Sequence, residues 1–250
     1  MLNYERSGNG RSVVLVHGIT ESLRSWDPLI GALAERFDVV SLDVRGHGAS
    51  TTEPPFDVVT MTVDVHSLVE SLRLDRPLMV GHSLGGTIVS AYAASYPCRG
   101  VVNVDQSLRL SDFVESLAPL VPLLRGSTEE FHIAMMLLLD SLRGALDDEQ
   151  WRRINLSRRI DPDVVLAIWS VVFDTPPAEL DALVVAMTSA VSVPYLSLHG
   201  VDPGADYEQW LTNLVPSATV ELWDQDGHYP HLVEQARFID RLVEFDALAT

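Results

Sequence analysis

Two patterns of apolar positions alternate along the 250 residues. Short runs that are apolar almost throughout occur at 12–16, 39–42, 78–80, 101–104, 193–198 and 219–222, and their length suits buried strands. Between them, 29–34, 62–72, 87–95 and about 234–245 carry apolar residues at helical spacing. Strands apolar on both faces, joined through helices, predict a mostly parallel sheet with helices on both sides, an α/β fold. The alternation stops between 107 and 190. That stretch has helical spacing throughout, in four or five pieces cut at Pro119, Pro122, Gly126, Gly144, Pro162 and Pro176-Pro177. The expected organisation is a core domain of 1–106 and 191–250, with 107–190 as a helical subdomain over one edge of the sheet. Repeats and low-complexity tracts are absent.

Composition narrows what such a domain can do. Apolar residues make up 47% of the chain, enough for a sizeable core. A net charge of −18 argues against nucleic acid, an anionic membrane surface and strongly anionic substrates. The single cysteine, Cys98, excludes an intrachain disulfide, and a buried inert thiol is expected there. The first residues carry no apolar leader-like run, so a cytoplasmic protein is expected. All 17 basic residues are arginine, which removes a phosphate-loop lysine and Schiff-base chemistry. Gly46-His47-Gly48 is a poor dinucleotide fingerprint because it ends at Thr51. His228 and His231 flank a proline outside any metal-binding pattern, so no metal is expected.

The segment most suggestive of chemistry is Gly81-His82-Ser83-Leu84-Gly85, between an apolar strand and a helix. Glycines at 81 and 85 let strand and helix backbones approach closely, and the serine between them is held in a strained turn. Such a turn raises Ser83 Oγ above the sheet edge, with the Leu84 amide aimed at a developing oxyanion. A second amide is expected from Ile19, in His17-Gly18-Ile19-Thr20 after the first apolar strand. His228, behind Gly227 after the last strand, is the candidate base. For the acid that orients it, Asp202 ranks first, Asp105 second and Asp206 third. Asp43, Arg45 and His47 read as a structural turn, His82 as a packing residue, and His231 as packing behind His228.

Together, His17-Gly18, Trp26, Asp43 to Ser50, Asp64, Gly81 to Gly86, Tyr96-Pro97, Gly200-Val201-Asp202 and Gly227 to Leu232 resemble the α/β-hydrolase superfamily along nearly the whole chain. The chain is similar to the small esterases, lactonases, C–C bond hydrolases and cofactor-free haloperoxidases of that superfamily. The resemblance implies a helical cap between strands 6 and 7 of the fold. Ser83 departs from the aspartate of epoxide hydrolases and haloalkane dehalogenases. The order Ser83, Asp202, His228 is that of the superfamily's triad.

The implied chemistry is acyl transfer through Ser83 with no cofactor. Its substrate would be a neutral, fairly hydrophobic ester or lactone of small to medium size. Phe113, Phe131, Met135, Met136, Leu137, Trp151, Trp169, Val172 and Phe173 have helical spacing. Of these, Trp151, Trp169, Phe173, Phe113 and Met135 are the candidates to line the substrate pocket. Arg109 is more readily a solvated or ion-paired arginine than a substrate contact. A monomer or homodimer is expected. Alternatives using the same site are C–C hydrolysis, perhydrolysis, and a ligand receptor that retains the triad.

Overall fold

Strand formation follows the apolar runs closely. In the computed structural model, which describes residues 1–249, the sheet has seven strands. They are β1 (Tyr4–Gly8), β2 (Ser12–Val16), β3 (Asp38–Leu42), β4 (Leu78–His82), β5 (Gly100–Val104), β6 (Tyr195–His199) and β7 (Ala218–Leu222). Their spatial order is β1-β3-β2-β4-β5-β6-β7. β1 pairs antiparallel with β3, and every other pair is parallel. Strands β3, β4, β5 and β6 are buried along their whole length, as helices on both faces require.

Alternate residues of each strand feed two separate cores. Val14, Val16, Val40, Met79, Val101 and Tyr195 face one layer, which holds α2 (Val58–Ser71), α3 (Leu84–Ser95) and α10 (Tyr207–Leu214). Val13, Leu15, Val39, Val80, Val102 and Leu198 face the other, with α1 (Asp27–Ala34) and α12 (Gln235–Leu248). β3 is added on one side of β2 and β4 on the other, so the chain reverses the direction in which strands are added. In open parallel sheets the crevice at such a reversal, at the carboxyl ends of the strands, is where ligands bind. Here the strands flanking it are β2 and β4, which end at Val16 and His82.

The run at 107–190 forms six helices between β5 and β6: α4 (Leu110–Leu117), α5 (Val121–Leu124), α6 (Thr128–Ser141), α7 (Asp148–Ser157), α8 (Pro162–Asp174) and α9 (Pro177–Thr188). Pro122 does not cut the chain. It sits in the first turn of α5, where its missing N–H costs no intrahelical bond. Ser127 with Glu130, and Asp147 with Gln150, form capping boxes that start α6 and α7. The insertion lies before the last two strands of the described sheet, between β5 and β6.

Two elements have weak sequence signals. β1 reads Tyr-Glu-Arg-Ser-Gly and lies at the sheet edge with no fully buried residue. α10 buries only Tyr207 and Leu211. No helix among the described residues is long and apolar enough to cross a membrane.

Close backbone approach sets the geometry around the crevice. A Cβ at Gly85 would sit 2.2 Å from the carbonyl oxygen of Val16, so α3 could not rest on β2 with any side chain there. Gly85→Ala is therefore expected to cost about 2 kcal/mol or more by overpacking, lowering the melting temperature by roughly 4–8 °C. Gly31→Ala, with nothing within 4 Å of its Cβ on the exposed side of α1, should leave stability unchanged or raise it by about 0.5–1 kcal/mol. Thermal unfolding of both variants checks the pair. Equal melting points would mean that α3 does not need this contact.

Candidate active site

The turn after β4 has the conformation that its sequence predicts. Ser83 has φ 51° and ψ −123°, in a region that side chains other than glycine rarely adopt. The strain is held by Ser83 N–H donating to Val104 O (2.9 Å) and Gly86 N–H donating to Ser83 O (2.6 Å). A Cβ at Gly81 would lie 2.1 Å from Gly85 O, so the corner closes only with glycine there. Ser83 is partly exposed at the carboxyl edge of the sheet, where α3 begins at Leu84.

His228 follows β7, in the loop before α11 (Pro230–Val233), and its Nδ1–H donates to Asp105 Oδ2 at 2.6 Å. The acid against the histidine is thus Asp105, which corrects the ranking from sequence. β6 ends at His199, and the next two amides, of Gly200 and Val201, turn back to donate to Asp105 Oδ1 at 2.7 and 3.1 Å. That turn carries Asp202 outward. Asp202 is exposed, and its Oδ1 accepts from Gly204 N–H at 2.8 Å. Asp206 is also exposed and pairs with Arg109 at 3.0 Å. Asp105 itself is 8% exposed with φ 50°, a second strained residue directly after a buried strand. Burial works against its charge. The hydrogen bond and charge of His228, His199 and the Gly200 amide outweigh that and hold the carboxyl below its ordinary range.

His82, next to Ser83, uses its Nε2–H to donate to His228 O at 2.8 Å. The His82 and His228 rings lie 4.7 Å apart, so the serine and histidine segments are neighbours. Among the described residues, no hydrogen bond joins Ser83 Oγ to His228, a looseness common in ligand-free sites.

The loop after β2 lies over the serine. A Cβ at Gly18 would be 3.2 Å from Ser83 Cβ. Gly18 N–H donates to Glu21 Oε2 at 3.2 Å, and Thr20 is held at φ 65°. The amides of Ile19 and Leu84 donate to no protein acceptor among the described residues. Glu21 is an unforeseen member of the site. It is 1% exposed, accepts from Tyr229 Oη at 2.9 Å, and lies 3.4 Å from His82 Nδ1. Burial pushes this carboxyl up, but His82, Arg158 and His17 outweigh burial and hold it well below the usual range. A carboxylate just past the His-Gly pair was the available sequence signal; its partners, Tyr229 and Arg158, leave no trace in spacing.

The remaining polar residues are structural. Asp43 accepts from Leu23 N–H, Ala49 N–H and Asn3 Nδ2, while Arg45 pairs with Asp64 at 2.7 Å. Burial pushes His47 down to about 3. His231 is fully buried between Trp26 and His82. Burial raises the Cys98 thiol to about 11.

Among the apolar candidates in the helical run, Met135 is 0% exposed and cannot line an accessible pocket in this conformation; it belongs to the core beside Phe131. Trp169 is 6% exposed, with Phe113 and Phe173 packed edge-on at 5.8 and 6.0 Å. Phe113, Phe173 and Trp151 are only partly buried. Trp151 stands edge-on to Tyr229, the neighbour of His228, at 6.3 Å.

A strained serine on a strand-to-helix corner, with a histidine and a buried aspartate on the same sheet edge, defines a class of fold and site. The model for the alpha/beta hydrolase fold matches residues 11–235, and the chain belongs to that family. It is 40% identical over 95 residues to a soluble epoxide hydrolase of Corynebacterium sp. (strain C12), covering 37% of this chain and 32% of that protein. The match thus spans about a third of that relative's length. Two solved structures are similar over nearly whole chains. One is a putative aryl esterase from Burkholderia cenocepacia, at TM-score 0.77 and 21% identity, covering 99% of this chain and 94% of the other. The other is Est816, described as an N-acyl homoserine lactone degrading enzyme, at TM-score 0.75 and 20% identity, covering 98% and 96%.

The geometry makes two checkable demands on Asp105. First, a strongly deshielded His228 Nδ1–H resonance should appear in the proton spectrum, vanish in Asp105→Asn and survive in Asp202→Asn. The reverse pattern would return the acid to Asp202. Second, a carboxyl depressed in the folded state contributes stability above its unfolded value of about 3.9, which is lost as pH falls through the folded value. Acid titration of stability should therefore be steeper below about pH 4 for the wild type than for Asp105→Asn.

Proposed function

We propose that this chain is a serine hydrolase that cleaves carboxylic esters or lactones through an acyl-enzyme. The observation that carries this reading is the 2.6 Å His228–Asp105 hydrogen bond on the same sheet edge as the strained Ser83 turn. In this reading Ser83 Oγ attacks the substrate carbonyl while His228 Nε2 accepts its proton. Asp105 fixes the Nδ1–H tautomer and stabilises the imidazolium. The free amides of Ile19 and Leu84 donate to the tetrahedral oxyanion, each worth on the order of 3–4 kcal/mol. The C–O bond breaks as His228 protonates the leaving alkoxide; in a lactone that alcohol stays tethered to the acyl group. Water, deprotonated by His228, then attacks the acyl carbon and releases Ser83.

Support for an ester or lactone comes from the esterase and lactone-degrading neighbours in the fold. The epoxide hydrolase relative is similar over a shorter stretch, and a serine at 83 suits acyl transfer better than epoxide opening. The helices of 107–190 form the cap in this proposal, with Trp151, Phe113 and Phe173 as the remaining candidates for an apolar pocket. A net charge of −18 disfavours anionic substrates, so a neutral substrate is proposed.

A panel of short and medium p-nitrophenyl esters and several lactones tests the reading. Turnover is expected on part of the panel and none with Ser83→Ala. A fluorophosphonate probe should label the wild type and leave Ser83→Ala unlabelled. Asp105→Asn should lose at least about 10² in kcat with little change in KM, because an orienting acid acts mainly in the transition state. Asp202→Asn should keep most of its activity. No turnover on the whole panel, or equal labelling of Ser83→Ala, would sink the proposal.

A further inference from the structure

Arg158 lies just past α7, in the helical insertion, yet its side chain is only 4% exposed. Its guanidinium points into the site's supporting layer, where three of its five N–H donors are engaged. Nε–H donates to Asn155 Oδ1 (3.1 Å), one Nη1–H to Thr20 Oγ1 (2.8 Å) and one Nη2–H to Tyr229 Oη (2.5 Å). Nη2 is also 3.8 Å from Glu21 Oε1, and the guanidinium lies 5.6 Å from the Trp151 ring. The next residue reinforces the link, since Arg159 N–H donates to Thr20 O at 2.8 Å. Thr20 follows Ile19, whose amide is a proposed oxyanion donor. Tyr229 follows His228.

We infer that Arg158 is a positioning residue: from the helical insertion it ties the loop carrying the Ile19 amide to the loop carrying His228 and fixes their separation. The inference rests on the function proposed above for its catalytic consequence, and on contacts alone for its structural one.

Three observations favour a rigid tie over an ordinary surface contact. A planar fork satisfies three acceptors on three segments at once, which the single ammonium of a lysine does not reproduce. The joined groups form a closed buried set, because Tyr229 Oη passes its own hydrogen on to Glu21, and Glu21 accepts from the Gly18 amide. Removing Arg158 would take away one of the groups that, with His82 and His17, offset the burial of the Glu21 carboxylate. The rest of this segment is fixed to the histidine loop as well. Gln150 Nε2–H donates to Leu232 O at 2.8 Å. A Cβ at Gly144 would fall 2.6 Å from Gly227 Cα, so the α6–α7 loop rests directly on the backbone before His228. Residues 143–158 are thus a buttress for the two loops. Any part of the insertion that moves to admit substrate lies outside them.

The test uses the full chain carrying Arg158→Ala, Arg158→Lys or Tyr229→Phe, the last nearly isosteric, so that folding does not limit the outcome. On the best p-nitrophenyl ester, Arg158→Ala should lose about 10² in kcat, the scale expected for a small displacement of reacting groups, with KM nearly unchanged. Guanidinium ion at a sub-denaturing concentration should restore part of that loss, while leaving the wild type and Ser83→Ala unaffected. Arg158→Lys should stay impaired, and Tyr229→Phe should show a smaller loss of the same kind.

Hydrogen–deuterium exchange gives a readout independent of turnover. Peptides covering 17–23 and 226–233 should exchange faster in Arg158→Ala, and those covering 78–82 should not. Unchanged exchange in both loops, unchanged kcat in the folded variants, or a rise in KM alone would overturn the inference; the last would make Arg158 a substrate-binding residue. If the wild type turns over no ester or lactone, the proposed function fails, while exchange still decides whether Arg158 holds the loops.

Discussion

The hydrogen bond between His228 and Asp105 joins positions 123 residues apart, and most of the site's construction serves to make that distance short. Asp105 must leave β5 at a positive φ, and Ser83 must leave β4 the same way, for both side chains to stand on the sheet edge. Each strained turn is anchored to the next strand, Ser83 by Val104 O and Asp105 by Leu198 O. Strain of this kind persists where the surroundings over-determine it. Here the parallel register of β4, β5 and β6 does so, because each anchor is a carbonyl at a strand end. The sheet order then places β2, and the loop carrying Gly18 and Ile19, on the other side of β4.

Much of this was legible in the chain. The six apolar runs are strands, and Gly81-His82-Ser83-Leu84-Gly85 is the strained corner, because both depend on local sterics and local periodicity. The acid was not decided locally. Asp105 and Asp202 each follow a buried strand, and spacing alone does not distinguish them. What separates them is the path of the chain after β6, where the Gly200 and Val201 amides turn back to Asp105 and send Asp202 into solvent. The Gly-Val-Asp setting of Asp202 fits a triad acid and a surface turn equally well. β1 carries little signal in the chain for a related reason: it is an edge strand whose polar residues bury little and whose pairing partner comes later in the chain.

The network around Glu21 was beyond reach of any periodicity argument. Its members come from the loop after β2, the end of β4, the segment before α11 and the end of α7. No two of these segments are adjacent in sequence. Burial links them, because a carboxylate out of water must be met by cations and donors from whichever elements surround it. The helical insertion therefore supplies part of the core's electrostatics as well as a candidate roof over the substrate. This division also explains the misplacement of Met135. A helix packed on a sheet and on other helices buries its largest apolar side chains against them, and only partly exposed residues such as Trp151 remain free for a ligand.

The central claim is that Ser83 becomes acylated under the control of His228 and Asp105, and acid-quenched mass spectrometry tests it most directly. The protein is mixed with an ester that it turns over, quenched within the first cycles and digested. A mass increase of one acyl group is expected on the peptide containing Ser83, absent from Ser83→Ala. A lower early yield of that adduct is expected in Asp105→Asn. Turnover proceeding with no acyl group on Ser83, or with the acyl group on another residue, would contradict the account.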